Sequence, residues 1–521
     1  MARVVPTLLV VAALLLAGCV ARPQAGDPPG ATTGGNGPPA FGDPFAGWPS
    51  PRRDRPVEPP TPPEGVDVHV HVDGTRVLAQ LPTRFLATSI ADWSPQLFDP
   101  TPDPTWVAYL AAMQPAYLRF PAGHSGQDYH WDPTNTVKKA PEGSRWVLSA
   151  DRLEAFLDLC DAVGAKPLIE VNLKRGTPAM AADMAEWNLA NGRRIEWWQL
   201  GNEPDYKATS WNRTPESHAR DSERFAAAIA EVDPRARFAG PEVMTPAAVT
   251  GIRGRADWMT PFLERNGDTV DAVTWHYYPL DSEQTRNSSS ATLTRAHLLQ
   301  ERVTDWPPAG LSYVDDAGAY TRVLRDRHAP EAELWVTELG PDSGIKAGKG
   351  VGTTHAGALW ASDVVGRFAR QGFTGIFQFL FSANPGHGLA LIDMPSEDVR
   401  PMYYAYWLHA RHAAGAAVLN ATASGDPKVA AHAYRAPDGS VKLLIVNRND
   451  APVTVGLTSS VRSLPAIATA WWLGASAPDA TDTAVNGVRF AEGPVAVDGV
   501  PAPLPGGALT LPGATAVWLA L

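Results

Sequence analysis

The sequence predicts an α/β protein, a (β/α)8 TIM barrel joined to an accessory all-β sandwich. Eight short apolar strands alternate with helical patterns through the middle of the chain. Beyond about residue 425 the helical pattern stops and strand-turn-strand segments take over. Several of the eight strands end in polar residues followed by a break, as at the C-terminal mouth of a barrel. An open doubly wound sheet is the competing fold, but the glycine-rich first turn it often carries is missing.

The 521 residues exceed one ordinary domain, and a hydrophobic content of 44% suffices for a large core. A net charge of −11 argues against nucleic acid, whose binding needs a basic footprint. The 18 tryptophans fit core filling or stacking on sugar rings, and their number does not choose between the two.

The chain opens with Arg3, an apolar run from Val4 to Leu16 and the stretch LLLAGCV, which contains Cys19. The run is too short to span a bilayer and reads as a signal segment. Residues 1–19 resemble the bacterial lipoprotein signal, in which Cys19 becomes the lipidated first residue. This implies a cell-envelope protein held to the membrane through its lipid alone. Val20 stands where an inner-membrane retention signal carries aspartate, which implies the outer membrane or the cell surface. Residues 20–65 are dense in Pro, Gly and Ala and read as an extended tether. Cys160 falls on the apolar stripe of SADRLEAFLDLCDAVGAKP and reads as a buried thiol, with no partner for an intrachain disulfide.

Residues 66–82, VDVHVHVDGTRVLAQLP, alternate with period two and place His69 and His71 on one strand face. An exposed strand face explains that pair more simply than a metal site. This strand has no place in the barrel and is expected to join residues 406–521 in the sandwich. The barrel is expected over 83–405. Its strands are FLATSIA, AYLRFPAG, PLIEVNL, IEWWQLGNEP, RFAGPEV, AVTWHYY, LWVTELG and GIFQFLF. Between them, Ser149 is placed to open a helix that ends at Val163 and Gly164, and Thr214-Pro215 to open another through about Glu231. In the C-terminal part, KVAAHAYRAPDGSVKLLIVNRND reads as a hairpin turning at Pro-Asp-Gly.

Three strand exits carry candidate chemistry. LGNEPD supplies Asn202 and Glu203, VTWHYYP supplies His276, Tyr277 and Tyr278, and LWVTELG supplies Glu338. Each exit alone is consistent with a turn. Together they suggest one mouth with two glutamates on different strands, the pair that glycoside hydrolysis requires.

The Asn-Glu-Pro of the fourth strand with a glutamate on the seventh resembles the clan of retaining glycosidases built on (β/α)8 barrels. Within it the chain most resembles glycoside hydrolase family 79, the heparanases and β-glucuronidases. The resemblance rests on AYLRF, IEWWQLGNEPD, FAGPEV, VDAVTWHYYPL, LWVTELG, GIFQFLF and MYYAYWLHARHAAGAAVL, in that order from about 85 to 420. It implies that Glu203 is the acid/base and Glu338 the nucleophile. It implies that Asn202 bonds the sugar 2-hydroxyl, that Tyr278 contacts the nucleophile and that Arg119 steadies it. Asp92, His276 and Gln378 take substrate-binding places. No cofactor or metal is implied.

Two segments depart from the family. LRFPAGHSG replaces its Arg-x-Gly-Gly and is similar to the Pro-Gly-Gly of arabinofuranosidases and xylosidases. SANPGHGLALID lacks the tyrosine that helps hold a uronate carboxylate. The loop GPDSGIKAGKGVGTT after Glu338 offers glycines with Lys346 and Lys349, and it is no phosphate loop because Gly350 follows Lys349.

The expected activity is retaining hydrolysis of a β-linked glycan or glycoside by double displacement, β-glucuronidase- or heparanase-like. The alternatives are a neutral-sugar glycosidase of xylosidase or arabinofuranosidase type, and a non-catalytic surface protein that binds glycans. The expected partner throughout is a carbohydrate, with uronic acid content left open.

Overall fold

The computed structural model describes residues 64–98, 102–206, 213–244, 246, 257–280, 294–299, 313–341, 351–383, 388–461 and 463–521. Cys19, Lys346, Lys349 and nearly all of the expected tether lie outside these residues. Among the described residues no helix is long and apolar enough to cross a membrane.

The barrel strands are Leu86–Ser89, Tyr117–Phe120, Lys166–Val171, Trp197–Leu200, Arg237–Val243, Ala272–Tyr277, Glu333–Leu339 and Gly375–Gln378. They pair in chain order as a closed barrel, and the eighth strand returns to the first through Phe377 opposite Ala87. Helices follow the local signals. The helix Ala150–Val163 ends at Gly164 with φ +67°, a left-handed cap that suits glycine, although Ser149 makes no side-chain capping bond. Thr214 and Ser217 form a reciprocal capping box before Pro215–Val232. Cys160 is buried, and burial pushes its thiol well above its ordinary pKa.

Strand alternation explains the barrel interior. Ala87, Tyr117, Leu168, Trp197, Ala239, Ala272, Trp335 and Phe377, one from each strand, form a compact apolar cluster. Trp197 and Trp335 lie with ring centroids 4.4 Å apart, and Tyr117 lies 4.6 Å from Trp335. Side chains two residues apart on a strand share a face. On six of the eight strands the next inward residue is polar, namely Ser89, Arg119, Glu170, Gln199, Thr274 and Thr337, all fully buried. An aromatic plug lies beneath a polar layer, and that layer supports the mouth.

Among the described residues the all-β domain forms one ten-stranded sheet. The N-terminal strand Val68–Gln80 lies inside it, antiparallel to Ala417–Ser424 and parallel to Val453–Ser459. One face carries Val68, Val70, Leu443, Ile445, Val517 and Leu519 into a core shared by strands across the sheet, so the sheet curls over on itself. The opposite face carries Tyr434, Leu444, Val446 and Trp518 into the main hydrophobic core with the helices His355–Arg370 and Pro401–His412. At that junction the buried carboxylate of Asp363 meets His432 at 2.9 Å and Arg448 at 3.0 Å. The expected hairpin turns at Gly439, where φ is +83°. His69 and His71 converge on the Thr458 hydroxyl at 3.1 and 2.9 Å, which gives that pair a structural role.

Candidate active site

The fourth strand ends in a backbone that only a supported site tolerates. Gly201 has φ +87° and Glu203 has φ +42°, left-handed for a residue with a side chain. The turn is held from two sides. Gln199 Nε2 donates to the Gly201 carbonyl at 2.7 Å, and the Glu203 amide donates to the Glu242 carbonyl at 2.8 Å. Glu203 is 4% exposed, so the turn delivers its carboxylate into the mouth instead of to bulk solvent.

Glu338 reaches the same mouth through an irregular seventh strand. Pairing with the sixth strand runs Val336 to Trp275, then jumps to Glu338 opposite His276. Such an extra residue re-aims the side chains beyond it. Thr337 is the residue passed over, and Glu338 then shares a level with His276.

Arg119 rises from the second strand as the hub. It donates from Nη1 to Glu338 Oε1 at 2.7 Å, from Nη2 to Asn202 Oδ1 at 2.5 Å and from Nε to Gln199 Oε1 at 2.5 Å. Its Nη2 lies 3.5 Å from Glu170 Oε2. Tyr278 donates its hydroxyl to Glu338 Oε2 at 2.6 Å. Both oxygens of Glu338 are thus fixed. Asn202 Nδ2 is buried with no hydrogen-bond partner among the described residues, a donor left over for a ligand hydroxyl.

His276 sits between the two glutamates. Its Nδ1 is 2.9 Å from Glu203 Oε1 and 3.5 Å from Glu338 Oε2, and its Nε2 is 3.1 Å from Glu242 Oε2. Glu203, His276 and Glu338 each offer an atom within 4.8 Å of the other two. That spacing admits a cation only if the ring gives up its Nδ1 proton, which the surrounding carboxylates oppose. Burial lowers the His276 pKa, but the Glu338 charge and the bonds to Glu203 and Glu242 outweigh it and push it up to about 10. Burial in turn raises the Glu203 carboxyl, yet the His276 hydrogen bond and the charges of His124, His276 and Arg119 leave it lowered. These directions put the proton on His276 Nδ1, which donates it to Glu203 Oε1 at 2.9 Å.

Glu203, Glu338, Asn202, Arg119, His276 and Tyr278 therefore form one connected cluster. Asp92 lies at the mouth without joining it. It is bonded by the Ser125 hydroxyl, and burial raises its carboxyl from its ordinary value. Gln378 is turned inward, with its Nε2 donating to the Phe379 and Leu389 carbonyls and its Oε1 accepting from Tyr406. It has no bond to either glutamate.

Sequence reasoning missed Glu242, Glu170 and His124. Glu242 and Glu170 are fully buried, and burial drives the Glu170 carboxyl well up. His124, in the departing FPAGHSG loop, lies 3.4 Å from Glu203 and stacks on Tyr206 at 5.4 Å. A signal was present for the first two: an acid inside PLIEVNL, and a Gly-Pro-Glu exit in RFAGPEV that parallels Asn-Glu-Pro.

No family model matches the chain, and no curated protein matches it. Solved structures do. A family 51 α-L-arabinofuranosidase from Bifidobacterium longum superposes with a TM-score of 0.65 at 16% identity, over 88% of this chain and 99% of the other. A GH51 arabinofuranosidase from Xanthomonas axonopodis pv. citri gives 0.64 at 18% identity, over 87% and 99%. A 4-O-α-L-rhamnosyl-β-D-glucuronidase from Fusarium oxysporum 12S gives 0.62 at 16%, over 89% and 99%. The likeness is one of fold, a (β/α)8 barrel with an accessory β domain across nearly the whole of each structure.

Proposed function

We propose that the chain is a retaining glycoside hydrolase acting on a neutral sugar, an arabinofuranoside or xyloside. The observation that carries this is the carboxylate pair Glu203 and Glu338, which with His276 fits within 4.8 Å at the barrel mouth. Retaining enzymes hold their carboxyl groups about 5–5.5 Å apart. Glu338 attacks the anomeric carbon as the glycosidic C–O bond breaks, and the leaving oxygen takes the proton shared by Glu203 and His276. The product is a glycosyl ester on Glu338. Water then attacks the same carbon, gives its proton to Glu203, and the ester C–O bond breaks. Arg119 and Tyr278 stabilise Glu338 when it departs as a carboxylate. Asn202 Nδ2 donates to the sugar 2-hydroxyl.

The neutral sugar is favoured by how the cations are used. Among the described residues that reach the pair, the cations Arg119 and His276 each already face a glutamate. A uronate carboxylate finds no uncommitted cation among them. Arabinofuranosidases among the structures of like fold, and the FPAG loop, support the same reading. A β-glucuronidase of the family 79 kind is the second reading, supported by the segments quoted above and by the Fusarium oxysporum structure.

A panel of nitrophenyl glycosides tests the choice. The α-L-arabinofuranoside or β-xyloside should exceed the β-glucuronide in kcat/KM by roughly tenfold or more, the worth of one charge-assisted hydrogen bond. A glucuronide preference reverses the assignment to the second reading, and no turnover of any glycoside leaves glycan binding without catalysis. Glu338→Ala should abolish turnover, with azide yielding a glycosyl azide of inverted configuration.

We further propose, from the box before Cys19, that the protein is lipid-anchored in the cell envelope. Cys19→Ser should move it from the membrane fraction to the soluble one, and wild-type protein already soluble contradicts the proposal.

A further inference from the structure

Glu242 leaves the fifth strand in an unusual state. It is fully buried, and its φ of +58° is left-handed for a residue with a side chain. The strand breaks register there, jumping from Gly240 opposite Val273 to Val243 opposite Trp275. Its amide donates to the Thr274 hydroxyl at 3.0 Å, which pins this irregular backbone. Its Oε2 accepts from the Thr337 hydroxyl at 2.7 Å and from His276 Nε2 at 3.1 Å. Its carbonyl accepts the Glu203 amide at 2.8 Å. One residue thus grips the backbone of Glu203 directly and its side chain through one imidazole.

We propose that Glu242 is a positioning residue, which keeps His276 a cation and so holds the transferable proton of the Glu203–His276 pair. This rests on the retaining mechanism above for its purpose, but not for its geometry. A carboxylate with no bond to the nucleophile and no exposure is otherwise a costly thing to bury. Here its negative charge faces the ring nitrogen that points away from Glu203. It favours the doubly protonated ring, which then hydrogen-bonds Glu203 through Nδ1. The groups facing His276 are Glu203 from the fourth strand exit, Glu242 from the fifth strand and Glu338 from the seventh. Behind them stand Arg119 on Glu338 and Glu170, His124 on Glu203, and Tyr278 on Glu338. Of the three carboxylates around the ring, Glu203 and Glu338 change their bonding during the reaction and Glu242 does not. Glu242 is therefore the fixed charge that stays with the ring through the whole cycle.

The test uses the full chain labelled with 15N-histidine, with the His276 signal assigned by its loss in His276→Asn. The wild-type ring should remain doubly protonated through pH 8. In Glu242→Gln, which keeps shape and removes charge, its midpoint should fall by about one pH unit or more. The alkaline limb of kcat/KM should move down with it, while kcat on the acid side stays within about threefold. Glu242→Asp withdraws the charge by one methylene and should give a smaller shift in the same direction, which serves if the glutamine variant fails to fold. An unchanged His276 midpoint in a folded Glu242 variant overturns the proposal, as does a uniform loss of kcat with the alkaline limb unmoved. If the wild type turns over no glycoside, the hydrolase reading fails while the imidazole midpoint still decides the role of Glu242.

Discussion

The guanidinium of Arg119 lies 2.7 Å from Glu338 with neither side chain more than 5% exposed, and the same guanidinium bonds Asn202 and Gln199. A buried ion pair broken at one partner typically costs about 3–5 kcal/mol, because the other charge is left uncompensated. Arg119→Met should therefore lower thermal stability and kcat together. Arg119→Lys keeps the charge but loses the fork that reaches three partners at once, and should still lose more than tenfold in kcat. A lysine variant with wild-type kcat and melting temperature would remove Arg119 from the centre of the cluster.

Tyr278 donates to the other oxygen of Glu338 at 2.6 Å. A hydrogen bond to a charged group is worth about 1.5–3 kcal/mol. Tyr278→Phe should cut kcat roughly tenfold to a hundredfold at little cost in stability, as steady-state kinetics and thermal melts of the two proteins will show. Equal kcat values would mean that the hydroxyl does not act on Glu338 during turnover.

Gly126 is packed on the carboxylate of Glu170, where a Cβ would fall 2.2 to 2.5 Å from its carboxyl atoms. Gly126→Ala should destabilise the fold by about 1–3 kcal/mol, the usual cost of overpacking. Gly474, whose Cβ position meets nothing within 4 Å, is the comparison, and its alanine variant should be close to neutral. Denaturant melts of both variants decide the point.

Acid should weaken the fold through three buried imidazoles. Burial lowers the pKa of His218, His409 and His412 to about 3. Unfolded, each titrates near its ordinary 6.5. Between those values the unfolded chain binds protons that the folded chain refuses. Their contribution is complete above about pH 6.5 and is lost as pH falls through that window, at about 1.4 kcal/mol per unit for each group. His276 has the opposite sign, since a raised folded pKa gives stability that is lost as pH rises toward about 10. Melting temperature should fall steeply below pH 6, and His409→Gln should flatten that slope. Identical acid slopes in the two proteins would contradict the reading.

The fold was legible because its signals are local. Each barrel strand is a short apolar run, and Gly164, Thr214 and Pro215 punctuate the helices where the sequence places them. Glu203 and Glu338 stood out because each ends an apolar strand at a break. Glu242 also ends such a strand, in Gly-Pro-Glu, but its contact with His276 was hidden, because that partner is 34 residues away and no strand pattern displays it. The contacts of Gln378, expected in the substrate pocket, were hidden for a similar reason. Its amide is claimed by Leu389 and Tyr406, and nothing in GIFQFLF announces those contacts. The Asp363 junction joins residues 69 and 85 positions apart and was equally invisible.

The central claim is that Glu203 and Glu338 act as acid/base and nucleophile in a double displacement. The direct measurement is the anomeric configuration of the first-formed sugar, followed by proton NMR before mutarotation during hydrolysis of the best nitrophenyl glycoside. Two successive inversions at one carbon should give a product with the configuration of the substrate. A first-formed product of opposite configuration would contradict the account, because a single displacement leaves no glycosyl ester on Glu338.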